Sequence, residues 1–176
     1  EPGLHLVATA NAEMVMLANE NPTLHTILNN ASLVVPDGAG ILWAAERQGE
    51  HVPERVTGVD VTKRLFKVAA ERQIPVYCLG AAPGVAQRAI DNLSAQVGPL
   101  NIAGIHDGFF DSTEEQEIVK AISESKAKLV FVALGVPKQE QWISEKLSHL
   151  DGIVAIGIGG SFDVLAGNIP RAPEWM

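Results

Sequence analysis

Short apolar runs alternate with longer segments of helical periodicity along this chain. The apolar runs predict six strands, at residues 4–8, 32–35, 75–80, 100–106, 129–135 and 153–160. The periodic segments predict helices near residues 12–20, 39–48, 59–72, 84–96, 138–148 and 161–166. Two further helices are predicted from residue 22 and from residue 112 to about 125. This alternation is typical of an α/β fold, Rossmann-like, with a mostly parallel sheet and helices on both faces in a single domain over residues 1–176.

Three polar residues are predicted to begin helices. Asn21 precedes Pro22, which suits a first helical turn because proline has no amide hydrogen to leave unpaired. Ser112 and Glu115 form an S-x-x-E capping pattern. Ser161 is expected to cap the last short helix.

Polar residues and glycines cluster where the predicted strands end. Ligands of open parallel sheets bind beyond the carboxyl ends of the strands. The residues placed there are Thr9, Asn11, Asp37, Gly38, Gly80, His106, Asp107, Phe109, Gly135, Lys138, Gln139, Gly159, Gly160 and Asp163. Glycine lets the backbone approach a ligand closely, and free amides at helix starts favour anions. The sequence therefore predicts a phosphate-compatible rim at this edge.

Composition argues against several classes of partner and structure. A formal net charge of −8 argues against a nucleic-acid partner, which would need a basic face. The longest uncharged stretch is broken by prolines and glycines and is too short to span a membrane. The single cysteine, Cys78, excludes an internal disulfide and is interpreted as a small core residue.

The motifs of common cofactor enzymes are absent. The first strand is followed by ATANAE rather than G-x-G-x-x-G, and no P-loop or G-x-S-x-G motif occurs. The five histidines lack metal-ligand spacing, and there is no Asp-x-Asp pair. His106, Asp107 and Asp111 fit turn chemistry better than metal ligation. No cofactor and no metal are predicted.

Two charged residues each have two interpretations. Asp37, in VVPDGAG, follows an apolar run that is interpreted as a buried strand. It is either a turn residue or a general base that takes a proton from an attacking hydroxyl. Arg55, in RVTGVD, either clamps a helix start or points at a phosphate, whose geometry its guanidinium matches.

Seven motifs occur in the order of a known family. They are TANAE, VVPDGAGI, ERVTGVD, LGAAPGV, DGFF, ALGVPKQE and GIGGSFDVLAG, and they span nearly all of the chain. The chain thereby resembles the TagA/WecG/CpsF glycosyltransferases, glycosyltransferase family twenty-six. The resemblance implies metal-independent, inverting transfer of N-acetylmannosamine from UDP-ManNAc to undecaprenyl-diphosphate-linked GlcNAc, as in wall teichoic acid linkage-unit synthesis.

The resemblance also implies residue roles. Asp37 matches the general base, with Thr9 and Asn11 in the same pocket. Gln139 matches a residue that positions the donor sugar, and Arg55 an active-site arginine near phosphate or acceptor. The remaining predicted substrate-binding residues are Phe109 against the uracil ring, Asp163 at the nucleotide, and Gly80, Gly135, Lys138, Gly159 and Gly160 along the rim.

Compared with that family, the chain is expected to lack an N-terminal strand and helix and a C-terminal appendage. The resemblance implies that this appendage brings basic residues to the site and docks the protein on the inner face of the cell membrane. The 176 residues alone are thus expected to bind UDP but to transfer sugar poorly. Two other functions remain open at this point, namely another UDP-sugar donor, such as glucose or N-acetylmannosaminuronic acid, and a non-catalytic nucleotide-sugar binding module.

Overall fold

The computed structural model describes residues 2–52 and 56–171. The strands are β1 (Leu4–Ala10), β2 (Leu33–Pro36), β3 (Val76–Gly80), β4 (Ile102–His106), β5 (Leu129–Ala133) and β6 (Ile153–Gly157). The helices are α1 (Ala12–Glu20), α2 (Pro22–Asn30), α3 (Ala39–Arg47), α4 (Gly58–Arg72), α5 (Val85–Val97), α6 (Ser112–Glu124), α7 (Lys138–Lys146) and α8 (Ser161–Leu165).

The six strands form one sheet in the order β2-β1-β6-β5-β3-β4. Each neighbouring pair runs parallel. All six carboxyl ends therefore lie along one edge. The predicted α/β class with a parallel sheet is confirmed.

Apolar side chains cover both faces of the sheet. Successive side chains on a strand point to opposite faces. On β3, Tyr77 and Leu79 join a core built with α2, α6 and α7, whereas Val76 and Cys78 join a core built with α4, α5 and α8. Cys78 is fully buried in that second core, which confirms its interpretation as a packing residue.

β2 departs from the expectation of a buried strand. Leu33 is 53% exposed and Val34 is 41% exposed. The strand lies at the edge of the sheet and pairs only with β1. An apolar run at an edge lacks the cover that helices give the central strands, so the prediction of burial was wrong there.

One of the three predicted helix caps is confirmed. The Asn21 side chain accepts a hydrogen bond of 3.0 Å from the Leu24 amide at the start of α2. At α6 the cap is Asp111, whose carboxylate accepts from the amides of Thr113 and Glu114.

The two other capping predictions were wrong by one position. The reciprocal partner of Asp111 is Glu114, so the capping box precedes the predicted Ser112–Glu115 pair. Asp111 takes the role because its backbone is extended, while Ser112 is already helical. α8 is preceded by Gly160, and the Ser161 hydroxyl donates instead to the carbonyl of Ile158.

Among the described helices, none combines the length and the apolar character needed to cross a membrane.

Candidate active site

A cavity of about 410 Å³ opens at the carboxyl ends of β1, β2 and β6. Its size lies within the range of small-molecule sites. The described residues that line it are Thr9, Asn11, Asp37, Gly38, Thr57, Gly58, Val59, Val136, Gln139, Ile158, Gly159, Gly160, Ser161, Val164, Ile169 and Arg171. Six of the residues predicted from sequence as site residues thus meet in one place: Thr9, Asn11, Asp37, Gln139, Gly159 and Gly160.

Asp37 continues the path of β2 into the cavity. Its amide donates to the carbonyl of Ala10 at 2.8 Å, which holds it beside the end of β1. Its Oδ2 accepts a hydrogen bond of 2.9 Å from the backbone amide of Gly58, in the first turn of α4. Asp37 therefore contributes to the capping of a helix and also lines the cavity.

The backbone of Gly58 is surrounded by oxygen atoms. A methyl group built on it would lie 3.4 Å from Asp37 Oδ2, 3.4 Å from Ser161 Oγ and 3.6 Å from Thr9 Oγ1. These oxygens come from elements far apart in sequence. One carboxylate and two hydroxyl groups therefore meet at the first turn of α4. Thr57 caps the same helix by accepting from the amide of Asp60.

Thr9 and Asn11 are both held by backbone groups. Thr9 is buried, and its hydroxyl donates to the carbonyl of Gly157 at 3.1 Å, which joins β1 to β6. Asn11 caps α1 by accepting from the amide of Met14 at 2.8 Å. These bonds fix both side chains at the cavity wall.

The side chain of Gln139 contacts the turn that follows β6. Its Oε1 accepts from the amide of Gly159 at 3.0 Å, and its Nε2 donates to Oε1 of Glu140 at 2.7 Å. Both side chains are buried, with exposed fractions of 1% for Gln139 and 0% for Glu140. Burial raises the pKa of Glu140, and the hydrogen bond from Gln139 opposes that rise.

Arg171 supplies a positive charge at the cavity. Its Nη2 lies 2.6 Å from Oδ2 of Asp60, which also accepts from the Thr57 hydroxyl at 2.7 Å. Among the described lining residues, Arg171 is the one cation and Asp37 the one carboxylate. The cavity thus holds a carboxylate together with an arginine, whose planar guanidinium group suits phosphate.

Other predicted site residues lie outside this lining. Phe109, after β4, is 73% exposed. Lys138 directs its ammonium group over the ring of Phe110, 5.3 Å from the centroid. Asp163 accepts from the side-chain amide of Asn168 at 3.0 Å.

Two predicted rim glycines also stand apart from the cavity. Gly80 has a φ of +116°, and a methyl group there would collide with the backbone of Ala133. Gly135, with a φ of +78°, precedes α7. Arg55, the remaining predicted residue, lies outside the described residues.

The residues at and after the end of β4 make local contacts. A ring nitrogen of His106 lies 2.9 Å from the carbonyl of Asp107, whose carboxylate accepts from the amide of Phe109. Asp111 caps α6. Asp107 thus takes the predicted turn role, while His106 ends β4 and Asp111 begins a helix. Within residues 2–52 and 56–171, no three potential metal ligands lie together.

Sequence reasoning missed several cavity residues. Thr57 and Gly58 lie in the T-G-x-D stretch, where a threonine before a glycine and an acid is a helix-start signal that could have identified them. Arg171 carries no local signal, because its partner Asp60 lies 111 positions earlier in the chain. Glu140, which is buried beside Gln139 and is not part of the cavity lining, was also missed, because only its burial distinguishes it.

The chain is similar in sequence to a family of known proteins. The model of the Glycosyl transferase WecG/TagA/CpsF family matches residues 1–176. Three similar proteins all carry the name N-acetylglucosaminyldiphosphoundecaprenol N-acetyl-beta-D-mannosaminyltransferase. The protein of Bacillus subtilis is 32% identical over 97% of the chain, that of Bacillus spizizenii 34% over 97%, and that of Staphylococcus aureus 33% over 95%.

The chain spans only part of those relatives. It covers 66% of the Bacillus subtilis protein, 68% of the Bacillus spizizenii protein and 65% of the Staphylococcus aureus protein. The whole length of the present chain, in contrast, is matched by the family. By its sequence, this chain belongs to the WecG/TagA/CpsF family of glycosyl transferases.

Proposed function

We propose that this chain is the catalytic core of an inverting glycosyltransferase. It moves N-acetylmannosamine from UDP-ManNAc to undecaprenyl-diphosphate-linked GlcNAc, the reaction of wall teichoic acid linkage-unit synthesis. The observation that carries the proposal is the meeting of Asp37, Thr9, Asn11 and Gln139 in one cavity. The shared name of three relatives supplies the sugar and the lipid-linked acceptor.

Asp37 is the general base in this proposal. It takes the proton from the 4-hydroxyl of the acceptor GlcNAc as that oxygen attacks the anomeric carbon of the donor. The bond between this carbon and the UDP oxygen breaks, and UDP leaves with the electron pair. A single displacement inverts the anomeric centre. The hydrogen bond from Gly58 fixes the orientation of the carboxylate for this step.

The leaving diphosphate needs positive charge beside it. Arg171 lines the cavity and is held at its rim by Asp60. Arg55, predicted from the sequence, is proposed to act on the same phosphates or on the acceptor. Fixed cations beside a developing negative charge lower the activation barrier. Removing one such group typically raises the barrier by about 3 kcal/mol.

The donor is proposed to extend along the carboxyl edge of the sheet. Gln139 positions its sugar, and the backbone at Gly159 and Gly160 approaches the phosphates. Phe109 packs on the uracil, and Asp163 binds the nucleotide. The remaining proposed contacts to substrate come from Gly80, Gly135 and Lys138.

The acceptor is a membrane lipid, so the protein is proposed to work in the cytoplasm, peripherally on the inner face of the bacterial cell membrane. Docking is proposed to use the C-terminal appendage that the family resemblance implies. No cofactor is assigned a role in this proposal.

The decisive experiment uses the full-length protein. It is incubated with a panel of UDP-sugars and a lipid-diphosphate-GlcNAc analogue, and products are identified by mass spectrometry. We expect a disaccharide product from UDP-ManNAc. Product from a different donor alone would replace the donor assignment, and UDP binding without any product would favour a non-catalytic module.

Asp37→Asn tests the base in the same assay. Asn still accepts from the Gly58 amide but takes no proton, so turnover should fall about 10²–10⁴-fold while UDP affinity is retained. Asp91→Asn is the control, since Asp91 is exposed on α5 and lies outside the cavity lining. Normal turnover by Asp37→Asn would refute the assignment.

A further inference from the structure

We propose that Glu140 is a positioning residue that fixes the carboxamide of Gln139 and, through it, the turn after β6. This inference rests on the proposed function only for its effect on catalysis. Its structural part concerns four described residues: Gln139, Glu140, Gly157 and Gly159.

The orientation of the Gln139 carboxamide follows from its two contacts. The backbone amide of Gly159 can only donate, so it must face the oxygen of Gln139, at 3.0 Å. The NH₂ group then faces Glu140, where an acceptor is needed. Oε1 of Glu140 supplies that acceptor at 2.7 Å.

The backbone of β6 packs directly on this pair. A methyl group at Gly157 would lie 2.6 Å from both Gln139 Nε2 and Glu140 Oε1. The carbonyl of the same Gly157 accepts from the hydroxyl of Thr9. The Gln139–Glu140 pair is therefore connected to two parts of the cavity wall. It reaches Gly159 by a hydrogen bond, and it reaches Thr9 through the backbone of Gly157 in β6.

Packing alone does not account for a carboxyl group here. Glu140 is fully buried, and its Oε2 has no hydrogen-bond partner among the described residues. A buried polar atom without a partner costs free energy, and an apolar side chain of similar length would avoid that cost. The acceptor for Gln139 is what an apolar side chain could not supply. Burial also raises the pKa of Glu140.

The direct test measures the Gly159 amide by hydrogen exchange in the full-length protein. Glu140→Met fills the space but leaves Gln139 Nε2 without an acceptor, so protection of the Gly159 amide should fall about tenfold. The neighbouring Ile158 amide, which donates to Val132, is the internal reference. Glu140→Gln keeps an acceptor and should restore protection. Unchanged protection in Glu140→Met would overturn the proposal.

The matched control is Glu145→Met, on the same helix but exposed. It should leave protection of both amides unchanged. Equal loss at Gly159 and Ile158 in Glu140→Met, together with a lower melting temperature, would indicate a merely structural role and would overturn the proposal.

A double-mutant cycle tests the catalytic part. Glu140→Met should lower kcat about 10–100-fold with a smaller change in KM, because misplacement of a positioning group acts at the reacting centre. In a Gln139→Ala background, Glu140→Met should lower kcat no further. Additive losses would show that Glu140 acts independently of Gln139. If the unaltered protein transfers no sugar, the proposed function fails while the amide measurement still decides the positioning role.

Discussion

Oδ2 of Asp37 lies 2.9 Å from the backbone nitrogen of Gly58. This hydrogen bond joins the end of β2 to the first turn of α4, which are 21 residues apart in the sequence. Helix starts have free amides and a partial positive charge, so a carboxylate is stabilised there. The same contact holds the acid at the wall of the cavity.

The first prediction separates the structural and chemical roles of Asp37. Asp37→Ala removes the acceptor for the Gly58 amide and should lower the free energy of unfolding by about 1 kcal/mol. Asp37→Asn keeps an acceptor and should lose much less. Urea denaturation of both variants measures the difference. Equal stability of the two would show that the contact contributes nothing to folding.

The second prediction concerns the close packing at Gly157. Gly157→Ala places a methyl group 2.6 Å from two buried side chains, so it should destabilise the protein by about 1–3 kcal/mol. Gly160→Ala is the matched control, since a methyl group there meets nothing within 4 Å and its φ is −78°. Thermal unfolding should distinguish them. A Gly157→Ala protein as stable as the control would mean that the buried pair moves aside without cost.

The third prediction is a pH dependence caused by Glu140. Burial is the largest cause of its raised pKa, while the Gln139 hydrogen bond and the Glu140 backbone amide lower it. A folded pKa above the ordinary 4.5 means that the folded state binds the proton more tightly than the unfolded state. This contribution to stability is present below pH 4.5 and is lost as pH rises through the folded value.

Glu140→Gln has no such proton to lose. Its stability relative to the unaltered protein should therefore increase as pH rises above 4.5 and should level off beyond the folded pKa. Each unit by which folding raises the pKa changes the free energy of unfolding by about 1.4 kcal/mol between the two ends of this pH range. Urea denaturation of both proteins across this range gives the comparison. A constant difference at every pH would mean that Glu140 titrates normally.

The fourth prediction separates ligand binding from stability at Arg171. The Arg171–Asp60 pair is 43% and 33% exposed at its two side chains, so Arg171→Ala should lower stability by less than about 1 kcal/mol. UDP affinity should fall about tenfold, because a charge-assisted contact to phosphate is lost. Isothermal titration of UDP measures it.

The control for that experiment is Arg88→Ala, an exposed arginine that contacts Asn168 and lies outside the cavity lining. Its UDP affinity should stay unchanged. If Arg171→Ala binds UDP as well as Arg88→Ala does, the diphosphate does not contact Arg171.

The sequence by itself determined the strands, the helices and the edge of the sheet where the site lies. These depend on local patterns: an apolar run such as residues 129–133 becomes a central strand, and Asn21 caps the helix that follows it. Chain order then places Asp37 and Gln139 after strands, because strands joined by helices run parallel and end at one edge.

Only the tertiary structure decided which strand ends meet and which side chains are buried. β2 lies at an edge, so its apolar run is exposed although it resembles the buried ones. Thr9 contacts Gly157, which lies 148 positions later in the sequence, and Arg171 contacts Asp60, which lies 111 positions earlier. No local sequence pattern encodes contacts between residues so far apart. Glu140 is adjacent to Gln139 in sequence, yet its burial follows from the packing of α7 on β6 at a glycine. Strand order and helix packing are set by the whole core at once, and they select the residues that form the cavity.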